Sequence, residues 1–311
     1  AELDVVVVQF NYGFFNFQHL VKFLDNLVQT GRAVVVMLHA TINPVTLLYK
    51  RLEDLVPALR RCDRVLVHSH ADLNRLKQVG VTNNVTLFPH GIVQSPPQYK
   101  RGRNRASELV LASYGFFLPH KGLLELIDAV AILREQGRAC RLLMVNAEYP
   151  IEWSADLIAA AKQRIAHHQL SDQVQLHTDF LEDNESLNLL SQADVIVFPY
   201  QETAESASGA VRFGIASGRP VAVTPLPIFS DVQSVVHVLP GTAPADIAKG
   251  ISDVADQTGN PENVPGQHQS VQRQWLDEHA YSRVGQRLQT MLTALHGQRV
   301  RKYPRHSAIK G

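Results

Sequence analysis

The sequence predicts an α/β protein made of two doubly wound, parallel-sheet units in tandem. Three observations predict it. Short continuous runs of Val, Ile and Leu alternate with longer amphipathic stretches; the alternation stops at one proline- and arginine-bearing segment; and beyond that segment it starts again. A continuous apolar run, as opposed to in/out alternation, marks a strand covered on both faces. Strand–helix–strand repetition then implies a parallel sheet with right-handed crossovers.

In the first unit, residues 1–95, the strand candidates are DVVVVQF from Asp4, AVVVMLH from Ala33, RVLVHS from Arg64 and NVTLFPHG from Asn84. Between them lie helical patterns such as FQHLVKFLDNLVQTG and ADLNRLKQVG. The break comes at SPPQYKRGRNRASE, from Ser95, whose prolines, glycine and cluster of basic residues carry almost no apolar content, and residues 96–107 read as an interdomain linker. The second unit, residues 108–280, restarts with LVLASYG, a helix through HKGLLELIDAVAILREQG, CRLLMVN, a second helix, VQLHT, DVIVFPY, a helix ending near Ser217, and PVAVT. A last helix is expected over 281–296, followed by a basic tail over 297–311.

Composition narrows the function classes. With 311 residues there is room for two such domains, and 30 basic against 29 acidic residues leave no global footprint for nucleic acid. The cysteines, Cys62 and Cys140, sit in apolar segments and form neither a disulfide framework nor a metal-spaced cluster, which fits a reducing cytoplasm. No apolar run reaches the roughly 18 residues of a membrane span, and no signal peptide is visible. The chain opens Ala-Glu-Leu-Asp without a methionine, so its first residue is not expected to be a native start.

In doubly wound sheets ligands bind beyond the carboxyl ends of the strands, and the second of these units should carry such a crevice, with a cleft expected between the two. The informative residues do follow strands. His39 ends the second run and His90-Gly91 the fourth; Lys121-Gly122 opens a helix after the first strand of the second unit. After DVIVFPY comes QETAESASGAVR, in which Ser206, Ser208, Gly209 and Ala210 bring backbone amides to a helix N-terminus. Amides and helix dipole together favour an anion, and the arrangement reads as a diphosphate cradle unlike the commoner glycine-rich forms.

These segments resemble retaining glycosyltransferase family 4, which has the GT-B fold. The resemblance rests on ASYGFFLPHKGLLELIDAVAIL and ADVIVFPYQETAESASGAVRFGIASGRPVAVTP, and extends upstream through VVVMLHAT, VLVHSHADLNRLKQVG and VTLFPHGI. Downstream, WLDEHAYSRVGQRLQTMLTALH looks like the last helices, which in the family return to the first domain. The family's first domain opens with further strands, so the first unit here is expected to be incomplete. The resemblance implies that Lys121 binds the donor diphosphate, that Glu205, the first acid of a Glu-x7-Glu motif, meets the transferred sugar, and that His39 points toward that sugar. His90 and Gly91 would line the donor side. Two positions depart from the pattern: Phe116 stands where an arginine is usual, and Phe213 stands where the second acid would be. Arg212 is the candidate replacement cation for a phosphate, with a surface ion pair as the plainer reading. His68, His70, His167 and His168 show no metal-ligand spacing and read as structural, and Tyr12 and Asn11 are acceptor-side candidates.

The implied activity is transfer of a hexosyl unit, mannosyl or a related sugar, from a GDP- or UDP-linked donor to a glycan or lipid-linked acceptor, with retention and as part of bacterial polysaccharide assembly. No Asp-x-Asp triplet occurs, so neither a metal nor any other cofactor is expected. The alternatives are another GT-B enzyme, such as a nucleotide-sugar epimerase, and a degenerate, non-catalytic glycosyltransferase domain. Arg299, Arg301, Lys302, Arg305 and Lys310 read as a solvated tail, with peripheral association at the inner face of an anionic membrane as the lesser reading.

Overall fold

The structure is a computed structural model, and it describes residues 3–44, 47–94, 108–203, 205–259 and 266–302. The linker expected over 96–107 lies outside the described residues, as do Arg305 and Lys310. The chain divides into two compact units. The first comprises Ala1–Gly91, Ala204–Ala207 and Tyr281–Gly311; the second comprises Ile92–Thr203 and Ser208–Ala280.

The first unit holds β1 (Val5–Phe10), α1 (Phe17–Gln29), β2 (Ala33–Leu38), α2 (Leu52–Leu59), β3 (Arg64–Val67), α3 (His70–Gln78) and β4 (Val85–Leu87). The sheet is parallel throughout, in the order β1-β2-β3-β4, so among the described residues it winds in one direction only and is not doubly wound as the sequence predicts. Every residue of β2 is buried, which is why its sequence shows no alternation. Val34, Val36 and Leu38 pack into the core under α1 and α2. Ala33, Val35 and Met37 face the other way, against Val284 and Leu295. The latter belong to the helix Tyr281–Lys302, which covers the second face of this sheet. That helix runs six residues past the expected end at 296, and the basic segment is therefore not a free tail from 297 onward. Arg299 makes a two-pronged ion pair with Asp63, both contacts at 2.9 Å.

The second unit holds β5 (Leu109–Phe116), α4 (Leu123–Glu135), β6 (Cys140–Ala147), α5 (Glu152–His167), β7 (Val174–His177), α6 (Asp183–Leu190), β8 (Val195–Phe198), α7 (Gly209–Ala216), β9 (Val221–Val223), β10 (His237–Val238), α8 (Pro244–Gly259) and α9 (Gly266–His279). The helix Tyr281–Lys302 is then α10. The sheet is parallel, in the order β10-β9-β8-β5-β6-β7. The chain starts in the middle at β5, winds outward to β7, then crosses back to β8 and winds the other way. That reversal is a topological switch point, and it places a crevice at the carboxyl ends of β5 and β8. The two faces of the sheet carry separate cores. Leu111 lies on the face covered by α4, α5 and α8, and Val110 and Ala112 on the face covered by α6 and α7. Among the described residues no helix is long and apolar enough to cross a membrane.

Candidate functional site

At the switch point of the second unit, the residues converge on one aromatic ring. Tyr200 follows β8 and is 1% exposed. The Lys121 Nζ stands 4.0 Å from the centre of the Tyr200 ring, a cation–π distance, and Lys121 is itself buried. The Tyr200 hydroxyl is 3.0 Å from the Ser208 Oγ. Ser208 caps α7, its hydroxyl accepting from the Val211 amide at 3.3 Å. The amides of Gly209 and Ala210 lie in the first turn, where no intrahelical carbonyl is available to them. An ammonium and a helix N-terminus thus meet on opposite features of one tyrosine.

The local sequence explains why this geometry forms. After β5 the chain makes a 3-10 turn at Pro119–Lys121, ending at Gly122 with φ +66°. Only glycine enters that left-handed conformation freely. It also fits in space only as glycine, since a Cβ there would stand 1.8 Å from the Pro199 carbonyl oxygen. The Gln201 amide donates to the His120 carbonyl at 2.8 Å and fixes the two loops together. Lys121 is therefore no solvated lysine in a first helical turn; it is a buried one locked between two strand ends. The sequence places Tyr200 at a strand end without assigning it a role, although an aromatic residue at the end of a buried strand, eight residues before a helix-capping serine, is a readable signal.

Other expectations are corrected. Arg212 does not form a surface ion pair. It is 3% exposed, its guanidinium donates to the Ser208 carbonyl at 2.7 Å, and it is ion-paired with Asp231. Phe213 stacks on Tyr114 with ring centres 4.8 Å apart, so the position of the missing acid is used for packing. Phe116, at the end of β5, joins Tyr149 and Phe180 in an aromatic cluster, with centres 5.1 and 5.9 Å from its own, and Phe180 is 78% exposed. These three rings stand at or just beyond the carboxyl ends of β5, β6 and β7.

The first unit carries its own constellation. Gln9, His39, His68 and His90 stand at or just past the carboxyl ends of β1, β2, β3 and β4 in turn. The His39 Nε2 is 2.7 Å from the Gln9 Oε1, and its Nδ1 is 3.1 Å from the His68 Nε2. The His68 Nδ1 is 2.9 Å from the Phe88 carbonyl. His90 stacks on His68 at 3.8 Å. Burial holds the His39 imidazole below its ordinary pKa. Metal-ligand spacing is absent from the sequence, yet the fold gathers His39, His68 and His90 with one ligand atom from each lying within 4.8 Å of the others.

Nearby, Asp72 is buried and accepts from Thr41, Ser69, Arg75 at 3.3 Å and Ser206 at 2.8 Å. The Ser206 amide reaches the His39 carbonyl at 3.4 Å. Glu205, half-buried, therefore lies in a segment held by the first unit, four residues before the first residue of α7 and outside its first turn. Gly91 has a packing reason: a Cβ there would come within 2.2 Å of the Tyr281 ring. Tyr12 is buried in the first core and donates to Asn43 at 3.2 Å, so it does not face an acceptor. His168 pairs with Asp128 at 2.9 Å, and His70 is exposed.

Comparison with known proteins agrees with this architecture. Residues 108–257 match the family described as glycosyl transferases group 1. Among solved structures, HepE of Anabaena in complex with UDP superposes with a TM-score of 0.74 at 16% identity, over 93% of this chain and 78% of that one. The UDP-forming α,α-trehalose-phosphate synthase of Burkholderia xenovorans, in complex with glucose-6-phosphate, gives 0.72 at 14% identity, over 94% and 73%. A sucrose-phosphate synthase of Thermosynechococcus elongatus gives 0.72 at 17%, over 95% and 74%. No curated protein matches in sequence. The fold is that of the GT-B glycosyltransferases, with both Rossmann-like sheets present.

Proposed function

We propose that the chain is a glycosyltransferase that moves a hexosyl unit from a nucleoside-diphosphate sugar to a sugar or glycan acceptor, free or lipid-linked. The observation that carries this reading is the convergence of Lys121 and the α7 N-terminus on Tyr200 at the switch point. Cleavage of a sugar–phosphate bond leaves negative charge on the departing diphosphate, and fixed donors aimed at that charge lower the barrier. Lys121 supplies a full positive charge, and the Gly209 and Ala210 amides supply oriented dipoles. With that charge met by side chain and backbone, the transfer step runs without a metal at the diphosphate. Gly122 holds Lys121 in place, and Ser208 sets the start of α7.

Phe180, exposed and stacked on Phe116, offers a flat face on which a nucleobase can stack. The resemblance to family 4 assigns the sugar to Glu205 and His39, and implies retention of anomeric configuration. Arg212, held by Asp231, takes no phosphate in this reading. UDP is preferred over GDP as the nucleotide, because HepE was solved with UDP and the trehalose-phosphate synthase is UDP-forming. Placement inside the cell, at or away from the inner membrane face, follows from where such donors are made and belongs to the same proposal.

Calorimetry with UDP, GDP and UDP-glucose tests the donor site. Lys121→Ala is expected to weaken nucleotide binding by roughly 1.5–3 kcal/mol, the range for a hydrogen bond to a charged group. Unchanged affinity in a folded Lys121→Ala variant places the diphosphate elsewhere. A second reading, nucleotide-sugar binding without transfer, is favoured by Phe213 standing as a packing residue where an acid is usual. Glu205→Gln separates the two: a transferase loses turnover at nearly constant donor affinity, whereas a binding domain has no turnover to lose.

A further inference from the structure

We propose that His39, His68 and His90 form a binding site for one divalent transition-metal ion of the zinc class at the carboxyl edge of the first sheet. The argument starts from hydrogen bonding. The Phe88 carbonyl can only accept, so the His68 Nδ1 carries the proton and the His68 Nε2 carries a lone pair. The Gln9 side-chain amide stands 2.7 Å from the His39 Nε2; with its oxygen toward the ring it accepts from Nε2 and leaves a lone pair on the His39 Nδ1. The His39 Nδ1 and the His68 Nε2 stand 3.1 Å apart, within hydrogen-bond distance. In the metal-bound state both nitrogens offer lone pairs and the cation between them replaces that hydrogen bond.

The separation suits a metal. Ligand nitrogens roughly 2.0–2.1 Å from a tetrahedral zinc ion stand about 3.3 Å from each other. His90 is the third ligand. Its ring is stacked on His68 and its ligand nitrogen lies within 4.8 Å of the other two, so coordination requires the half-buried ring to turn out of the stack. Three neutral imidazoles and no carboxylate select zinc, cobalt, nickel or copper over magnesium or calcium. The outer partners are already in place: the Phe88 carbonyl fixes the His68 tautomer, and the Gln9 amide oxygen can hold the His39 Nε2–H as metal-bound histidines require. Three protein ligands leave a fourth position open. Occupancy takes His39 out of reach of a sugar, so the ion acts as an inhibitor of transfer; this consequence, unlike the site itself, rests on the reading of His39 given under Proposed function.

Titration of chelator-treated protein with Co²⁺, followed by the visible absorption of tetrahedral cobalt and by competition with Zn²⁺, tests the site. One equivalent per chain is expected. His39→Asn and His90→Ala, both at half-buried positions, should each weaken binding by more than the roughly 10–100-fold that loss of an outer partner costs, and Gln9→Ala should fall within that range. His70→Ala, at an exposed position outside the cluster, should bind as the parent does. Absence of stoichiometric binding, or binding kept in both His39→Asn and His90→Ala, overturns the proposal. A transfer assay run with Zn²⁺ at the measured affinity separates the two claims. Inhibition supports both, while stoichiometric binding without inhibition upholds the site and overturns the role of His39 in transfer.

Discussion

Arg212 carries a charge that the sequence reads in two ways, as a phosphate ligand or as a surface ion pair. It sits in the first turns of α7, one residue from the position of the missing acid, and has the right charge for a phosphate. In the structure it is 3% exposed, bonded to the Ser208 carbonyl at 2.7 Å and paired with Asp231, whose side chain is 16% exposed. Removing one partner of a buried pair leaves the other charge uncompensated, which costs about 3–5 kcal/mol. Arg212→Ala is expected near the lower end of that range, because Asp231 keeps some contact with water. Chemical denaturation measures it. The accompanying outcome is nucleotide affinity close to the parent's in the folded fraction; a large affinity loss with unchanged stability would return Arg212 to the donor site.

At the scale of elements, the 3-10 turn between β5 and α4 decides where the cation goes. Gly122 has φ +66° and abuts the Pro199 carbonyl, so the β5 and β8 loops can approach only because no Cβ lies between them. Alanine at 122 meets two costs at once: a left-handed backbone, worth roughly 1–2 kcal/mol, and an overlap that only separation of the two loops relieves. Gly122→Ala should therefore lower both stability and nucleotide affinity, the second because Lys121 moves with the turn. A variant with parental affinity for UDP would show that the position of Lys121 does not depend on this approach. Arg299 makes a similar point for α10. A basic run looks like a solvated tail until the helix carries one of its guanidiniums to Asp63, 236 residues away in sequence.

At the scale of the whole chain, the two cysteines report on the two units separately. Cys62 is buried in the first core, and burial pushes its thiol up to about 12; Cys140 is buried in the second, and burial raises its thiol too. A thiol reacts through its thiolate, so a raised pKa keeps it inert at pH 8, and the effect weakens only as pH climbs toward the shifted value. Neither cysteine should react with a thiol reagent at pH 8 in the native protein, and both should react in denaturant. Mass spectrometry of the labelled peptides gives a separate transition for each unit, a distinction that one global unfolding signal would hide. Labelling of Cys62 in the native state at pH 8 would contradict the packing described for the first core.

The sequence by itself determined what local signals can carry. Continuous apolar runs such as Ala33–Leu38 and Val195–Phe198 declare strands buried on both faces, and the intervening helical periodicity declares parallel crossovers, so two parallel α/β sheets were legible, though not that only the second reverses its winding. The glycine and serine of the α7 start were legible as well, because capping chemistry lies within a few residues of the helix it serves. What only the tertiary structure decided was which strand ends stand side by side. His39, His68 and His90 are separated by long stretches of chain, and no periodicity joins them; parallel pairing of β2, β3 and β4 brings their ends level and makes one cluster of three. The same holds for Lys121 and Tyr200, which meet because β5 and β8 are neighbours in the sheet although β6 and β7 lie between them in the chain. Side-chain pattern is a property of a segment, whereas proximity across a sheet is set by register and strand order, which the packing of all the segments together decides.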